Sequence, residues 1–320
     1  MKKVLQLLTG RSSAYDAIRI LNPSKRIDKE LKERDISVTC IPCQQLSVEL
    51  ASQFDITIIH GCFSVSSVAY LRQIPFAIGI DDLITNIPMG NPVQPSDAQY
   101  LAFEWAIKNA ASLICTTQAL VDAFPGKQSF LTPNLVDLTK VKNTSERVAY
   151  VAGSSHNQDM ELISSLYDTK RELIFWTSSL PHKFSHMYFN HVNQVVCEPN
   201  KPNIGWITQQ EWPRYTIWMK NLEFGVGLAP LANNAFNRCK SVWKWLEYLQ
   251  KGAITVASDI GPYSSLPDEV LVKIKPGDDW NDGVEYAFGH REEIYNKAFE
   301  YCENYTYDKN NSWVRMYEGI

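Results

Sequence analysis

Short, near-continuous apolar runs alternate with helical stretches along this chain, and that alternation restricts the fold more than any other feature. Residues 3–8, 36–41, 55–60, 76–80 and 112–116 form such runs, rich in β-branched side chains. Strands that are apolar on both faces lie inside a parallel sheet, and the intervening helices supply the cover. The same pattern restarts at 148–152 and continues through 173–176, 224–228 and 253–257. A polar stretch at 136–146, rich in Lys, Asn and Thr, separates the two halves. The pattern predicts two doubly wound α/β domains in tandem, over residues 1–142 and 143–304. Ligands in such folds bind at the C-terminal edges of the strands, so a cleft between the two sheets is the expected site. Beyond residue 304, Trp313, Met316 and Tyr317 fall at i, i+3 and i+4 in a short helix that starts near Ser312.

Composition fits this reading. A chain of 320 residues is comfortable for two domains, and 45% hydrophobic with 21% charged residues excludes a disordered or fibrous protein. No apolar run approaches the length of a membrane span. Met1-Lys2-Lys3 imitates the start of a signal peptide, but Gln6 breaks the apolar run and Thr9-Gly10-Arg11 ends it. A soluble, cytoplasmic protein is expected. The net charge is −4, and residues 1–140 balance 13 basic against 13 acidic side chains. Any polyanion site must therefore be local. One local concentration exists: Arg19, Lys25, Arg26, Lys29, Lys32 and Arg34, against Asp28, Glu30 and Glu33, make a basic helix over 19–34. Such a helix could meet the inner face of a membrane, a lipid-linked saccharide or DNA.

Several chemistries are absent. The turn after the first strand carries no GxGxxG, no Walker A sequence occurs, and the GxSxG elbow is missing. Cys40 and Cys43 have CxxC spacing without a second pair, so they read as free thiols. His182, His186 and His191 have no carboxylate or cysteine to complete a zinc set. No metal site is expected.

Residues 224–263 are the most informative. A strand ends in the Pro-containing loop Gly227-Leu-Ala-Pro-Leu231, and a helix is predicted to begin near Arg238–Lys240. Lys240, Lys244 and Lys251 would share one face of it, with Glu247 on an adjoining face. Free amides at a helix start, the Ser241 hydroxyl and the lysines suit a diphosphate, and a carboxylate further in suits the hydroxyls of a ribose. The plainer alternative is an exposed Lys244–Glu247 ion pair of little energetic weight.

The run GLAPLANNAFNRCKSVWKWLEYLQKGAITVASDIGPY resembles the donor-binding segment of GT-B glycosyltransferases of the retaining, glycogen-synthase-like superfamily. YVAGSSHNQDMELI at 150–163 is similar to the opening strand and glycine loop of that family's donor domain. IGIDDLITNIP at 78–88 resembles its acceptor-domain loop, and LTPNLVDL at 131–138 its linker. The resemblance implies two Rossmann-like domains facing across a cleft, with the final segment, 305–320, crossing back to the first domain. It implies a glycosyltransferase that moves a sugar from a nucleotide-diphosphate sugar, such as a UDP-sugar, to a saccharide or other hydroxyl acceptor, with retention and without a metal or other cofactor. Glu247 would hold the donor ribose; Lys240, Ser241 and Lys244 would meet the diphosphate, with Lys244 acting on the leaving group. Asn237, Gly153, Ser154 and His156 would complete the donor side, and Gly10 and Arg11 the acceptor side. Asp81 or Asp82 would orient or deprotonate the acceptor hydroxyl, with His60 a second candidate. Cys239 stands where the family's first glutamate of E-x7-E would fall, which leaves the transferred sugar open. Two alternatives are transfer to hydroxylated bases of DNA, as in phage enzymes, and a catalytically inactive nucleotide-sugar-binding protein. No obligate protein partner is implied.

Overall fold

The computed structural model describes residues 1–9, 14–61, 65–89, 91, 94–152, 156, 158–177, 194–195 and 212–320. Among the described residues, twelve strands form two six-stranded parallel sheets. The first contains β1 (Lys2–Leu8), β2 (Ile36–Pro42), β3 (Ile56–His60), β4 (Phe76–Ile80), β5 (Leu113–Cys115) and β6 (Ser129–Leu131), in the order β2-β1-β3-β4-β5-β6. The second contains β7 (Val148–Ala152), β8 (Leu173–Thr177), β9 (Gln194–Val195), β10 (Val226–Ala229), β11 (Ile254–Ser258) and β12 (Val272–Ile274), in the order β12-β11-β10-β7-β8-β9. β3, β4, β7 and β11 are buried at every position, which is why they read as unbroken apolar runs. In each sheet the strand order reverses once, between β1 and β3 and between β7 and β10, and such switch points open crevices at the strands' C-terminal ends.

Side-chain fit also pins the register. Gly79 of β4 pairs with His60 of β3, and a Cβ at Gly79 would lie 1.9 Å from His60 Nδ1. Only glycine leaves room for that imidazole.

Local structure departs from the sequence reading in four places. The helical stretch that the alternation places after β7 is a 3-10 helix, Asp159–Asp168, kinked at Ile163. Met160, Ile163 and Leu166, three residues apart, are all buried. The helix expected from 238–240 is two pieces, a turn over Ala235–Arg238 and the helix Trp243–Leu249. Lys251 lies beyond that helix and donates to the Lys220 carbonyl (2.6 Å), so it does not share a face with Lys240 and Lys244. The fourth departure is the basic helix. Residues 16–21 wind as a π-helical turn that buries Asp16, Ala17, Ile18, Arg19 and Ile20 in succession. Arg19 thus belongs to the interior, while Arg26 pairs with Asp137, Lys32 with Asp28, and Arg34 with Glu30 and Glu318.

The C-terminal helix Ser312–Gly319 returns to the first domain. Trp313, Val314, Met316 and Tyr317 are all buried and pack with Val4, Ile27, Leu31, Ile56, Ile58 and Ile114. Trp313 Nε1 donates to the Pro133 carbonyl (3.1 Å), and the Arg19 guanidinium lies 4.6 Å from its ring centroid. Cys40, Cys43, Cys115, Cys239 and Cys302 are free thiols.

Candidate active site

A cavity of about 380 Å³ lies where the two switch points face each other. Every strand that reaches it does so with its C-terminal end: β4 through Asp81 and Asp82, β7 through Tyr150–Ala152, β10 through Leu228–Leu231. The first domain adds Tyr15 and Arg19 from the helix after β1, and the second adds Lys240, Ser241, Lys244 and Glu247. Hydrogen bonds cross between the walls. Lys240 Nζ donates to Asp82 Oδ1 (3.0 Å), Asn134 Nδ2 to Ser241 Oγ (3.0 Å), and Thr117 Oγ1 to the Cys239 carbonyl (2.9 Å).

On the second-domain wall, Glu247 is only 6% exposed. Lys244 Nζ donates to its Oε2 (2.8 Å), and the Tyr215 hydroxyl donates to its Oε1. The Lys244–Glu247 ion pair is therefore real but recessed, unlike the exposed pair that spacing alone would allow. Burial and the neighbouring Glu247 carboxylate push the Tyr215 hydroxyl's pKa well up, so it stays a donor. Asn237 is buried under this wall and donates to Asp159 and to the Ala232 carbonyl. It supports the loop rather than lining the cavity. Cys239 packs into the apolar core of the first domain, so its position serves the domain contact.

On the first-domain wall, Asp81 is pushed up to about 7 by burial and then by Asp82, while Arg19 and Lys240 pull it back. A carboxyl raised in the folded state holds a proton that the unfolded chain releases at its ordinary value of 3.8. Its contribution to stability is complete below that value and is lost as pH rises towards 7. Asp81→Asn should therefore remove part of the fall in melting temperature between about pH 4 and 7. Identical pH profiles for variant and parent would refute the assignment.

His60 does not reach the cavity. It is fully buried, with its pKa lowered to about 3 by burial and then by Arg19. Gln6 Nε2 donates to His60 Nε2 (2.9 Å), so Nδ1 carries the hydrogen and donates to the Tyr15 hydroxyl (2.9 Å). Tyr15, not His60, is what faces the cavity. His156 does line it. Gly10, Arg11, Gly153 and Ser154 lie outside the described residues, as do His182, His186 and His191.

Sequence reasoning missed Tyr15, Arg19, Asn134, Asp159 and Tyr215. Arg19 alone left a trace, as a charge set between Ile18 and Ile20 in a run that turns inward. Its guanidinium donates to the Thr132 carbonyl (2.7 Å), Thr132 Oγ1 (2.9 Å) and Asn134 Oδ1 (3.1 Å). Among the described residues, no three His, Cys, Asp or Glu side chains converge as a metal set. No helix among them is long and apolar enough to cross a membrane.

The sequence matches no protein-family model and no curated protein. Solved structures do match its shape: the chain has the GT-B fold of glycosyltransferases. It is similar to the sucrose-phosphate synthase of Thermosynechococcus elongatus at 11% identity and a TM-score of 0.65, covering 99% of this chain and 98% of that one. It is similar to Anabaena HepE, solved in complex with UDP-glucose, at 13% identity and a TM-score of 0.65, with both chains covered in full at 100%. A glycosyltransferase from Rickettsia africae matches at 12% identity and a TM-score of 0.55, over 99% of this chain and 98% of that one.

Proposed function

We propose that this chain is a glycosyltransferase that moves a sugar from a UDP-sugar to a hydroxyl acceptor, with retention of configuration and without a divalent metal. The observation that carries this reading is the cavity itself. It joins two lysines and a recessed carboxylate on one wall to an acidic pair on the other, at the switch points of both sheets. Lys240 and Lys244 offer positive charge to a diphosphate, and Glu247 offers oxygens to a ribose. Negative charge grows on the diphosphate as the glycosidic bond breaks, so cations already in place favour the transition state over the ground state. Asp81, titrating near neutrality, suits proton transfer from an acceptor hydroxyl, and Asp82 beside it would orient that hydroxyl once Lys240 turns to the diphosphate. HepE, of the same fold, has been solved with UDP and glucose, which supports the choice of donor. Retention rests on the resemblance of residues 224–263 to the retaining superfamily.

A panel of UDP- and GDP-sugars, read by thermal shift and by donor hydrolysis, tests the reading. The expected result is stabilisation and slow hydrolysis with one UDP-sugar, unchanged by EDTA. Loss of turnover in EDTA would overturn metal independence. A binding-only protein gains some support from Cys239, which is turned into the domain contact. Stabilisation by a donor with no hydrolysis, and no transfer to any oligosaccharide, lipid-linked or DNA acceptor, would favour it.

A further inference from the structure

His156 and Asp159 stand beyond the end of β7, and the bonds around Asp159 fix what the imidazole can do. Asp159 is 2% exposed. Its Oδ1 accepts from the Ala232 backbone N–H (2.6 Å) and from Asn237 Nδ2 (2.9 Å), and its Oδ2 lies 2.7 Å from His156 Nδ1. A carboxylate held this way can only accept, so Nδ1 carries the hydrogen. The Tyr150 hydroxyl donates to the His156 backbone carbonyl (3.3 Å) and fixes the turn. Nε2 is then the ring atom left for a ligand, without a partner among the described residues, on a side chain that lines the cavity.

The charges around it decide how Nε2 is used. Lys240 is matched by Asp82 and Lys244 by Glu247. A diphosphate entering beside them brings negative charge that these pairs have already half spent. Resting on the donor-site reading above, we propose that His156 takes up a proton when a nucleoside diphosphate binds, and that its Nε2–H then holds the diphosphate while Asp159 holds Nδ1–H. Burial lowers the ring's pKa and the Lys240 and Lys244 charges lower it further, against the Asp159 bond. The diphosphate reverses the balance by adding negative charge at Nε2. During transfer the bond from the sugar C1 to the diphosphate oxygen breaks and its electron pair stays on that oxygen. The imidazolium hydrogen bond then opposes a larger charge than in the ground state, without any need for the proton to move.

Binding linked to proton uptake is stronger at low pH. The Kd for UDP should rise with pH, approaching about tenfold per pH unit between the free and bound pKa values of the ring. Calorimetric titration of the whole chain with UDP, in Pipes and in Tris, reads the uptake directly, because the buffer supplies the proton and adds its own heat. The expected result is a buffer-dependent heat that disappears in His156→Asn, whose amide can still donate to Asp159 and which should still bind UDP. Equal heats in both buffers for the parent overturn the proposal. So does uptake that persists in His156→Asn, since Asp81 or the terminal phosphate of UDP would then be the acceptor. If that variant does not fold, the ring signals of His156 in the parent, followed by NMR with and without UDP, give the same answer: a ring that stays neutral in the complex overturns it. Binding without uptake refutes only this inference, whereas no UDP binding in either buffer refutes the donor-site reading and the inference together.

Discussion

Replacing Glu247 by alanine should weaken UDP binding by roughly ten- to a hundredfold. A charge-assisted hydrogen bond to a ribose hydroxyl is worth about 1.5–3 kcal/mol, and that range converts to this loss. The geometry makes the test sharper than the number. Glu247 also holds Lys244 at 2.8 Å, so its removal frees that lysine for phosphate. Inorganic diphosphate should accordingly bind the variant as well as the parent, or better, while UDP binds worse. A parallel loss of both ligands would mean that Glu247 merely positions Lys244. Unchanged affinity for both would refute the ribose assignment. The variant also loses the Tyr215–Glu247 bond, so each Kd should be taken well below the variant's own melting temperature.

Trp313→Ala should be the most destabilising single change at the junction of the first domain with the chain end. The indole is fully buried, donates to the Pro133 carbonyl and carries the Arg19 guanidinium on its face. Truncating a buried tryptophan costs about 3–5 kcal/mol. Here the loss also leaves a buried guanidinium without its stacking partner. Urea unfolding should show the first domain melting early, with UDP binding by the second domain retained. A variant that unfolds like the parent would show that the helix Ser312–Gly319 adds little to the first domain.

The sheets were legible in the sequence because a strand buried on both faces leaves a local signature, and β3, β4, β7 and β11 all carry it. Helix boundaries were less so. Lys240, Lys244 and Lys251 fit one helical repeat by spacing, yet the chain turns between Cys239 and Val242 and ends the helix at Leu249. Spacing reports periodicity, not where capping or domain contact interrupts it. The cavity's own residues divided the same way. Lys240, Lys244, Glu247, Asp81 and Asp82 lie in short, dense motifs. Tyr215 meets Glu247 across 32 positions and Arg19 meets Thr132 across 113, and no local pattern encodes such pairs. His60 misled for a related reason. A histidine at a strand's C-terminal end lies at the right edge of the sheet, but Tyr15, from another element, covers it.

The bond between Lys240 and Asp82 crosses from one wall of the cleft to the other. While the lysine holds Asp82, the carboxylate has little to offer an incoming hydroxyl. A diphosphate that draws the lysine towards itself releases Asp82 in the same movement. On the proposed reading, the acceptor side would then become competent after the donor side is filled. Initial-rate kinetics with donor and acceptor both varied should then show a compulsory order, nucleotide first on and last off, and a random order would mean that this 3.0 Å ion pair does not couple the two sites.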